Sequence, residues 1–333
     1  MKKINVLVSG AGNGVGQSII RSLQLSKLNL NIFSCDIDKI YSKIYNPKKF
    51  FLIPKVEIKN SKFKILSIFK KNKIDIFFCG SEFEIMFFSK NKIFFEKNSK
   101  VKICISDKKT IKIANDKFLT YKFLKDNKLP YPKTTLIKNM KRSNSYLKHF
   151  KFPLILKDRF GTSARSVYKV NNLKEFNFYL NLIKKPIIQE YLKFYKRGKD
   201  KNNMLNEYTC SFFSGLNGDK LGIFIAERSL RNGTSWVIKH DKSYPKRLVD
   251  IINKTSEKIK NIGSFNIQLI RTKKDYIPFE FNSRFSGTTS VRANFGFNEP
   301  EMFILQIINN KINKLNQKTR NGKIIRYIDE VKI

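Results

Sequence analysis

A parallel-sheet α/β unit followed by a longer, strand-rich α+β unit is the fold class this sequence predicts, and three observations carry the prediction. Strand and helix patterns alternate as far as Asp107, which implies a parallel sheet with crossover helices. After it, strand patterns succeed one another with only occasional helices between them. One of these strands, in FEFNSRFSGTT from Phe279 to Thr289, sets Glu280, Asn282 and Arg284 at every second position. Side chains alternate faces along a strand, so these three would share one face while Phe279, Phe281 and Phe285 take the other. A polar stripe backed by an aromatic one suits a strand that lines a site, although a strand with a wet outer face reads the same way.

The elements follow in order. INVLVSGAGNGVGQSIIRSLQLS reads as an apolar strand, a glycine turn and an amphipathic helix. LNIFSCDID is a second strand ending in acids, IDIFFCGSEFEIMFFSK a strand, turn and helix start, and VKICISD a further strand. A helix runs from about Thr110 through NDKFLTYKFLKDN and stops at KLPYPKT, where two prolines break it. FPLILKDRFGTSARSVYKV is strand, loop, strand; PIIQEYLK is a strand entering a bend; KFYKRGKDKNNMLN is a polar loop. EYTCSFFS, KLGIFIAERSL, SFNIQLIRT and YIPFEFN are successive strands, with YPKRLVDIINKTSEKIKNIG helical between them. EPEMFILQIINNKI is a last helix before a short tail. The expected boundaries are 1–108, 109–320 with a smaller part at about 137–190, and a tail at 321–333.

At 333 residues and 41% hydrophobic content, the chain can fill two or three packed units. It has no apolar run long enough to span a bilayer, so membrane insertion is not expected. The MKKINVLVSGAG start runs into glycines without a small-residue cleavage site, so neither is a signal peptide. Cys35, Cys79, Cys104 and Cys210 are far apart and form no CxxC pair, which argues against zinc and suits a reducing cytoplasm. The net charge of +41 points toward nucleic acid. Its excess is lysine, however, scattered from end to end and accompanied by Asn, Ile, Phe and Tyr, all served by AT-rich codons. Genome composition accounts for it, and no specific nucleic-acid partner is expected.

SGAGNGVG follows a strand and opens a helix, the context in which backbone N–H groups hold an anion. Gly10, Gly12, Gly14 and Gly16 miss the G-x-G-x-x-G pattern, since Val15 holds the last position, but fit G-x-x-x-G-x-G of short-chain dehydrogenases and sugar epimerases. Asp36 ends the next strand, where a ribose-binding acid would lie. An NAD(P)-dependent epimerase or dehydrogenase is therefore one reading, and a purely structural turn in a Rossmann-like domain another. The Tyr-x-x-x-Lys pair such enzymes need has two weak candidates, Tyr121/Lys125 and Tyr195/Lys199.

From about Asn115 to Gly296 the chain resembles the ATP-grasp enzymes, near the single-module relatives of the carbamoyl-phosphate synthase large chain. NDKFLTYKFLKDNKLPYPKT is similar to the opening helix and its proline exit, PLILKDRFGTSARSV to the strand and flexible loop that hold phosphates, and IIQEYL to the adenine hinge. NEYTCSF is similar to the strand with the ribose-binding acid, and FNIQLI with FEFNSRFSG to the paired strands that carry metal ligands. Three departures stand out: Thr162, Ala164 and Ser166 occupy loop positions where glycine is common, Asp158 replaces a proline, and the insertion before Glu207 is long.

The resemblance implies an N-terminal Rossmann-like domain before an ATP-grasp module with a small lid and a larger antiparallel sheet. It implies ATP as cosubstrate, bound by Lys117, Lys157, Gly161, Ser163, Gln189, Glu190, Tyr191, Leu192 and Glu207. Mg²⁺, or alternatively Mn²⁺, would be held by Gln268, Glu280 and Asn282, with Arg284 as the catalytic anion clamp and Arg228, Arg231 and Arg292 as possible substrate contacts. The implied reaction joins a small-molecule carboxylate to an amine, or to a thiol, through an acyl phosphate. A nucleotide-binding protein without catalysis stays open, as does a homodimer. His240, in a polar stretch, is expected to be a solvated loop residue.

Overall fold

The computed structural model describes residues 3–161, 166–195, 207–231, 233–309 and 318–332. Its first sheet contains β1 (Ile4–Val8), β2 (Leu30–Asp36), β3 (Lys49–Leu52), β4 (Ile76–Phe78) and β5 (Lys102–Cys104), all parallel in the order β3-β2-β1-β4-β5. β1 is apolar throughout its buried half because helices cover both faces. Val6 and Val8 belong to the core that includes Ile19, Ile20 and Leu23 of α1 (Gly14–Gln24). Leu7 points the other way, into the core of α2 (Ser61–Lys71) and α3 (Ile85–Ser99).

Two helices follow, α4 (Lys108–Asn115) and α5 (Lys117–Asp126), whose N-termini are capped by the carboxylates of Asp107 and Asp116. They lead to a small antiparallel sheet of β6 (Thr134–Leu136), β7 (Leu154–Asp158), β8 (Val167–Val170) and β9 (Pro186–Glu190) in the order β6-β9-β7-β8. Phe176 and Leu180 of α6 (Leu173–Leu180) pack on Leu154, Leu156 and Ile188 beneath it.

The large sheet is also antiparallel: β10 (Glu207–Ser214), β11 (Lys220–Arg231), β12 (Thr234–His240), β13 (Gly263–Arg271), β14 (Tyr276–Asn282) and β15 (Gly322–Ile325), ordered β14-β13-β10-β11-β12-β15. One face carries Cys210, Phe212, Ile225, Phe265, Ile267 and Phe281, which pack with side chains of α5 and of α7 (Lys246–Lys258). The opposite face changes character along the strands. At one end Phe213 and Phe224 join Ile19 and Ile20 of α1 and Phe303 of α9 (Glu299–Asn309), after the short α8 (Thr289–Asn294). That shared core fastens the N-terminal unit to the large sheet. At the other end the face is polar and borders a cleft.

Residues 322–325, expected in a tail, are instead the edge strand β15, paired with Val237–His240 of β12. Four residues of GKII are too few for a period-2 pattern to register. No described helix is long and apolar enough to cross a membrane.

One buried ion pair ties this architecture together. Arg292 and Glu299 are both fully buried. Arg292 Nη1 donates to both Glu299 carboxylate oxygens at 3.1 Å, and Nη2 donates to Asn266 Oδ1. The hydroxyls of Ser211 and Ser264 donate to Glu299 Oε1 at 2.9 Å. A buried charge persists only when it is paired and hydrogen-bonded; both Nη atoms of Arg292 are so held, with Nε left without a partner among the described residues, and the network pins α8 and α9 to β10 and β13. The expectation that Arg292 contacts substrate is thereby corrected: its guanidinium is enclosed in the protein, where five donors can satisfy several acceptors at once. Glu299→Ala should destabilise the fold by about 3–5 kcal/mol, because Arg292 stays buried without its counter-charge. Urea denaturation measures this, and a loss below about 1 kcal/mol would show that the pair is not structural.

Candidate active site

The cleft end of the large sheet is built by register. Glu280 lies opposite Gln268, which lies opposite Thr209; Asn282 lies opposite Asn266, which lies opposite Ser211. A third row runs from Ile270 through Glu207 to Arg228. Directly paired residues share a face, so three mostly polar rows cross the sheet together. Between Gln268 and Leu269 the register shifts, and Pro278 rather than Phe279 meets Leu269. This bulge re-aims one side chain: Phe279 turns to the cleft beside Glu280. Phe281 stays in the core. Phe285, past the strand end, packs edge-on against Phe78 with centroids 5.4 Å apart. The single aromatic face expected from alternation is thus divided among three environments.

A cavity of about 280 Å³ lies between β7–β9 and the large sheet. Its walls include apolar Ile155, Val167, Leu192, Leu230, Ile270 and Phe279 and the polar Lys117, Lys157, Gln189, Glu207 and Glu280. Lys157 is buried, and its Nζ donates to Gln189 Oε1 at 2.8 Å, while Gln189 Nε2 donates to Thr134 Oγ1 at 2.9 Å. Burial, and then the charge of Lys117, push the Lys157 ammonium down to about 7, against the pull of Glu280. Burial also lowers Lys117, opposed first by Glu280 and then by Asp158. Lys117 Nζ donates to the carbonyl of Gly161 at 2.6 Å, which draws the loop after β7 toward α5. Asp116 strengthens the same tie, accepting both Nε and Nη2 of Arg159 at 2.6–2.9 Å. The Glu190 carboxylate accepts the Lys133 N–H at 2.7 Å, so the hinge Glu190–Leu192 offers the cavity mainly its backbone and the Tyr191 and Leu192 side chains.

A second cavity, about 330 Å³, continues from the first and shares Arg228, Gly233, Gln268 and Glu280 with it. Arg228 crosses between them. Its Nε and Nη2 donate to Glu207 Oε1, its Nη2 also to Gln268 Oε1 at 2.9 Å, and its Nη1 to Ser235 Oγ at 3.1 Å. Arginine only donates, so the Gln268 oxygen is turned toward Arg228 through one of its two lone pairs, and Gln268 lines the second cavity together with Glu280 and Asn282. Arg284 Nη2 donates to Glu82 Oε2 at 2.8 Å, which joins the end of β14 to the N-terminal unit. Asn282 Nδ2 donates to Glu280 Oε1 at 3.1 Å, leaving the Asn282 oxygen for another partner. No group of three or more His, Cys, Asp or Glu able to hold an ion occurs among the described residues. One carboxylate beside one carboxamide oxygen suits a hard cation that keeps most of its ligands from water and phosphate.

Several other positions singled out in the sequence do not line these cavities, and two lie outside the described residues. Arg231 is exposed, with its guanidinium 4.8 Å from the Trp236 ring centroid. Ser163 and Lys199 lie outside the described residues. Tyr121 packs edge-on against Tyr131 with centroids 5.4 Å apart. His240 is not a solvated loop residue: it is buried at the end of β12, stacked on Phe224 with its Nδ1 2.8 Å from the Ile225 carbonyl. At the glycine turn, Asp36 accepts the N–H of Gly12 at 2.8 Å and of Ile37 at 2.7 Å. A Cβ on Gly12 would lie 2.4 Å from the Tyr41 ring. The acid and the space a dinucleotide would use are taken by the protein's own groups. Sequence reasoning missed Ser81 to Phe83 in the wall of the second cavity, whereas the glycine turn, singled out as an anion site, supplies the rest of the N-terminal wall through Asn13 to Val15.

Comparison with known proteins adds relatives to this geometry. Residues 114–199 match the model for the ATP-grasp domain. D-alanine–D-alanine ligase of Petrotoga mobilis is 33% identical over 92 residues, 26% of this chain and 29% of that one. Coenzyme γ-F420-2:α-L-glutamate ligase of Methanococcus maripaludis is 34% identical over 104 residues, 30% of this chain and 36% of that one. The match thus spans about a third of these relatives' length. N5-carboxyaminoimidazole synthetase from Staphylococcus aureus, solved with ADP, superposes over 97% of this chain and 80% of its own with a TM-score of 0.70 and 15% identity. L-amino acid ligase from Bacillus licheniformis superposes over 96% of this chain and 78% of its own with a TM-score of 0.71 and 13% identity. The chain thus matches the ATP-grasp domain in sequence over residues 114–199 and shares its fold along nearly its whole length with these solved structures.

Proposed function

We propose that the protein is an ATP-dependent ligase that joins a small-molecule carboxylate to an amine through an acyl phosphate. The observation that carries this reading is the meeting of two cavities at Glu280. One side has a basic, partly apolar chamber under the small sheet, and the other has a polar chamber reaching the N-terminal unit. The named relatives, two of them carboxylate–amine ligases, support the same class.

In this reading the apolar walls and the Glu190–Leu192 backbone receive the adenine. Glu207, held by Arg228 through Oε1, keeps its second oxygen for a ribose hydroxyl. Lys117 and Lys157 meet the phosphates. Glu280 and the Asn282 oxygen hold the ion, with Mg²⁺ as the ion proposed; when bound it would neutralise phosphate charge. Gln268, on the neighbouring strand, accepts from Arg228 through one lone pair of its oxygen and offers the ion the other. Arg284, two residues past the end of the strand, neutralises the substrate carboxylate as its oxygen attacks the terminal phosphorus. The bond to ADP breaks and an acyl phosphate forms. An amine then attacks the carbonyl carbon, phosphate leaves and the amine loses a proton. An epimerase reading is not favoured, because Tyr41 and Asp36 occupy the turn it requires.

Glu280→Gln is nearly isosteric and should fold. It removes a charge from the ion site, so ADP release should fall by about 100-fold or more while nucleotide still binds. The assay couples ADP release to hydroxylamine trapping of the acyl phosphate across a panel of carboxylates. Wild type yields hydroxamate in step with ADP, and turnover of the variant at the wild-type rate would remove Glu280 from the ion site.

Lys157 gives a pH-dependent prediction. Its folded value of about 7 lies below the ordinary 10.5, so between these pH values the unfolded chain holds the extra proton. Apo stability therefore gains from this group as pH rises through that window. Phosphate beside Lys157 would restore its ammonium, so at pH 8.5 Mg–ATP binding should take up a proton, to a limit of about one from this residue. Calorimetry in two buffers of different ionisation enthalpy reads the uptake, and Lys157→Met should abolish most of it. Equal uptake in both proteins would place the phosphates elsewhere.

A further inference from the structure

Three arginines line the second cavity, Arg228, Arg284 and Arg326. The first two are held by carboxylates, Glu207 and Glu82. Arg326 has no carboxylate within ion-pair distance among the described residues. It is half-buried, and its one recorded side-chain bond is a long 3.5 Å contact from Nη1 to the Ser235 carbonyl. Burial, and then the nearby Arg21, act against its charge, with only Tyr45 acting for it. A guanidinium in such a place calls for an anion.

Its position is fixed by the fold. The Arg326 N–H donates to the Trp236 carbonyl at 2.9 Å, extending the β12–β15 pairing by one residue. The side chain then reaches over two glycines. Nη1 lies 3.8 Å from where a Cβ of Gly287 would stand, and the Gly14 carbonyl is equally close to that point. Arg326 lines only the second cavity, away from the chamber proposed for the nucleotide, whereas Arg284 lies two residues past the ion-holding strand. The two guanidinium groups thus serve different ends of whatever occupies the space between them.

We infer that Arg326 is a specificity-determining residue that grips an anionic group, a carboxylate or a phosphate, on the amine-bearing substrate. The inference rests on the ligase reading of the two cavities. The planar fork of arginine matches both oxyanions. The acceptor would enter with its amine toward Glu280 and Arg284 and its anion toward Arg326. An amine without an anion would leave the half-buried charge uncompensated and be selected against.

The test uses the full chain with the nucleotide chamber saturated by Mg²⁺ and a non-hydrolysable ATP analogue, so that added anions cannot compete there. Inorganic phosphate and acetate are titrated separately, with thermal stability as the readout. For wild type, at least one anion should raise the melting temperature. Arg326→Gln should weaken the apparent affinity by about tenfold or more, and Arg326→Lys should recover part of it. A response to phosphate alone identifies a phosphorylated acceptor, and a response to acetate alone a carboxylate-bearing one. All three proteins should keep the same shift with the nucleotide analogue, which also shows that the variants fold. Equal anion responses in wild type and Arg326→Gln, or none in either, overturn the inference. Absence of the nucleotide shift in wild type would instead overturn the ligase reading.

Discussion

Cross-strand register in the large sheet is the constraint on which the rest depends. Because paired residues share a face, matching Glu280 to Gln268 and Asn282 to Asn266 determines which polar groups meet at the cleft. A slip by one residue would send Glu280 into the core beside Phe265 and Ile267 and bring Phe281 to the cleft. The register is protected from both sides. On the covered face, the aromatic cluster of Phe123, Phe265 and Phe281 resists it, with centroids 5.2–5.9 Å apart. On the cleft face, Arg292 reaches Asn266 from the buried pair with Glu299 and fixes the middle of the polar rows.

The second theme is how so basic a chain organises its few acids. Glu207, Glu82 and Asp116 each hold an arginine at or near the two cavities, respectively Arg228, Arg284 and Arg159. Lys157 has a carboxamide partner instead, and its charge is correspondingly weakened by burial. The resulting pattern separates guanidinium groups with fixed partners from cations that still lack a counter-charge, Lys157 and Arg326 foremost. Those are the positions at which an incoming anion gains most.

Much of this was legible in the chain itself. Alternation exposed Glu280, Asn282 and Arg284, and the order of the ATP-grasp-like segments led to Lys117, Lys157 and Gln189, which the fold gathers around one cavity. What escaped has physical causes. A bulge at Phe279 is a one-residue event that breaks period 2, and Pro278 just before it, a residue strands admit at edges and bulges, was its one local sign. The partners of Arg228 and Arg292 are 21 and 7 residues away in the chain, and nothing local distinguishes these arginines from solvated ones. Arg326 was hidden in a segment too short to read as a strand, in a sequence where basic residues are common. The glycine turn was legible as a turn, but its occupancy by Tyr41 and Asp36 depends on tertiary packing.

The central claim is that nucleotide binds between the small and large sheets and not at the N-terminal glycine turn. Hydrogen exchange read by mass spectrometry, with and without Mg–ATP, tests it most directly. The account predicts slowed exchange in the segments containing Lys157, Gln189–Leu192 and Glu280–Asn282, with Gly10–Gly16 little changed. Protection confined to Gly10–Gly16 and the end of β2 at Asp36 would contradict it.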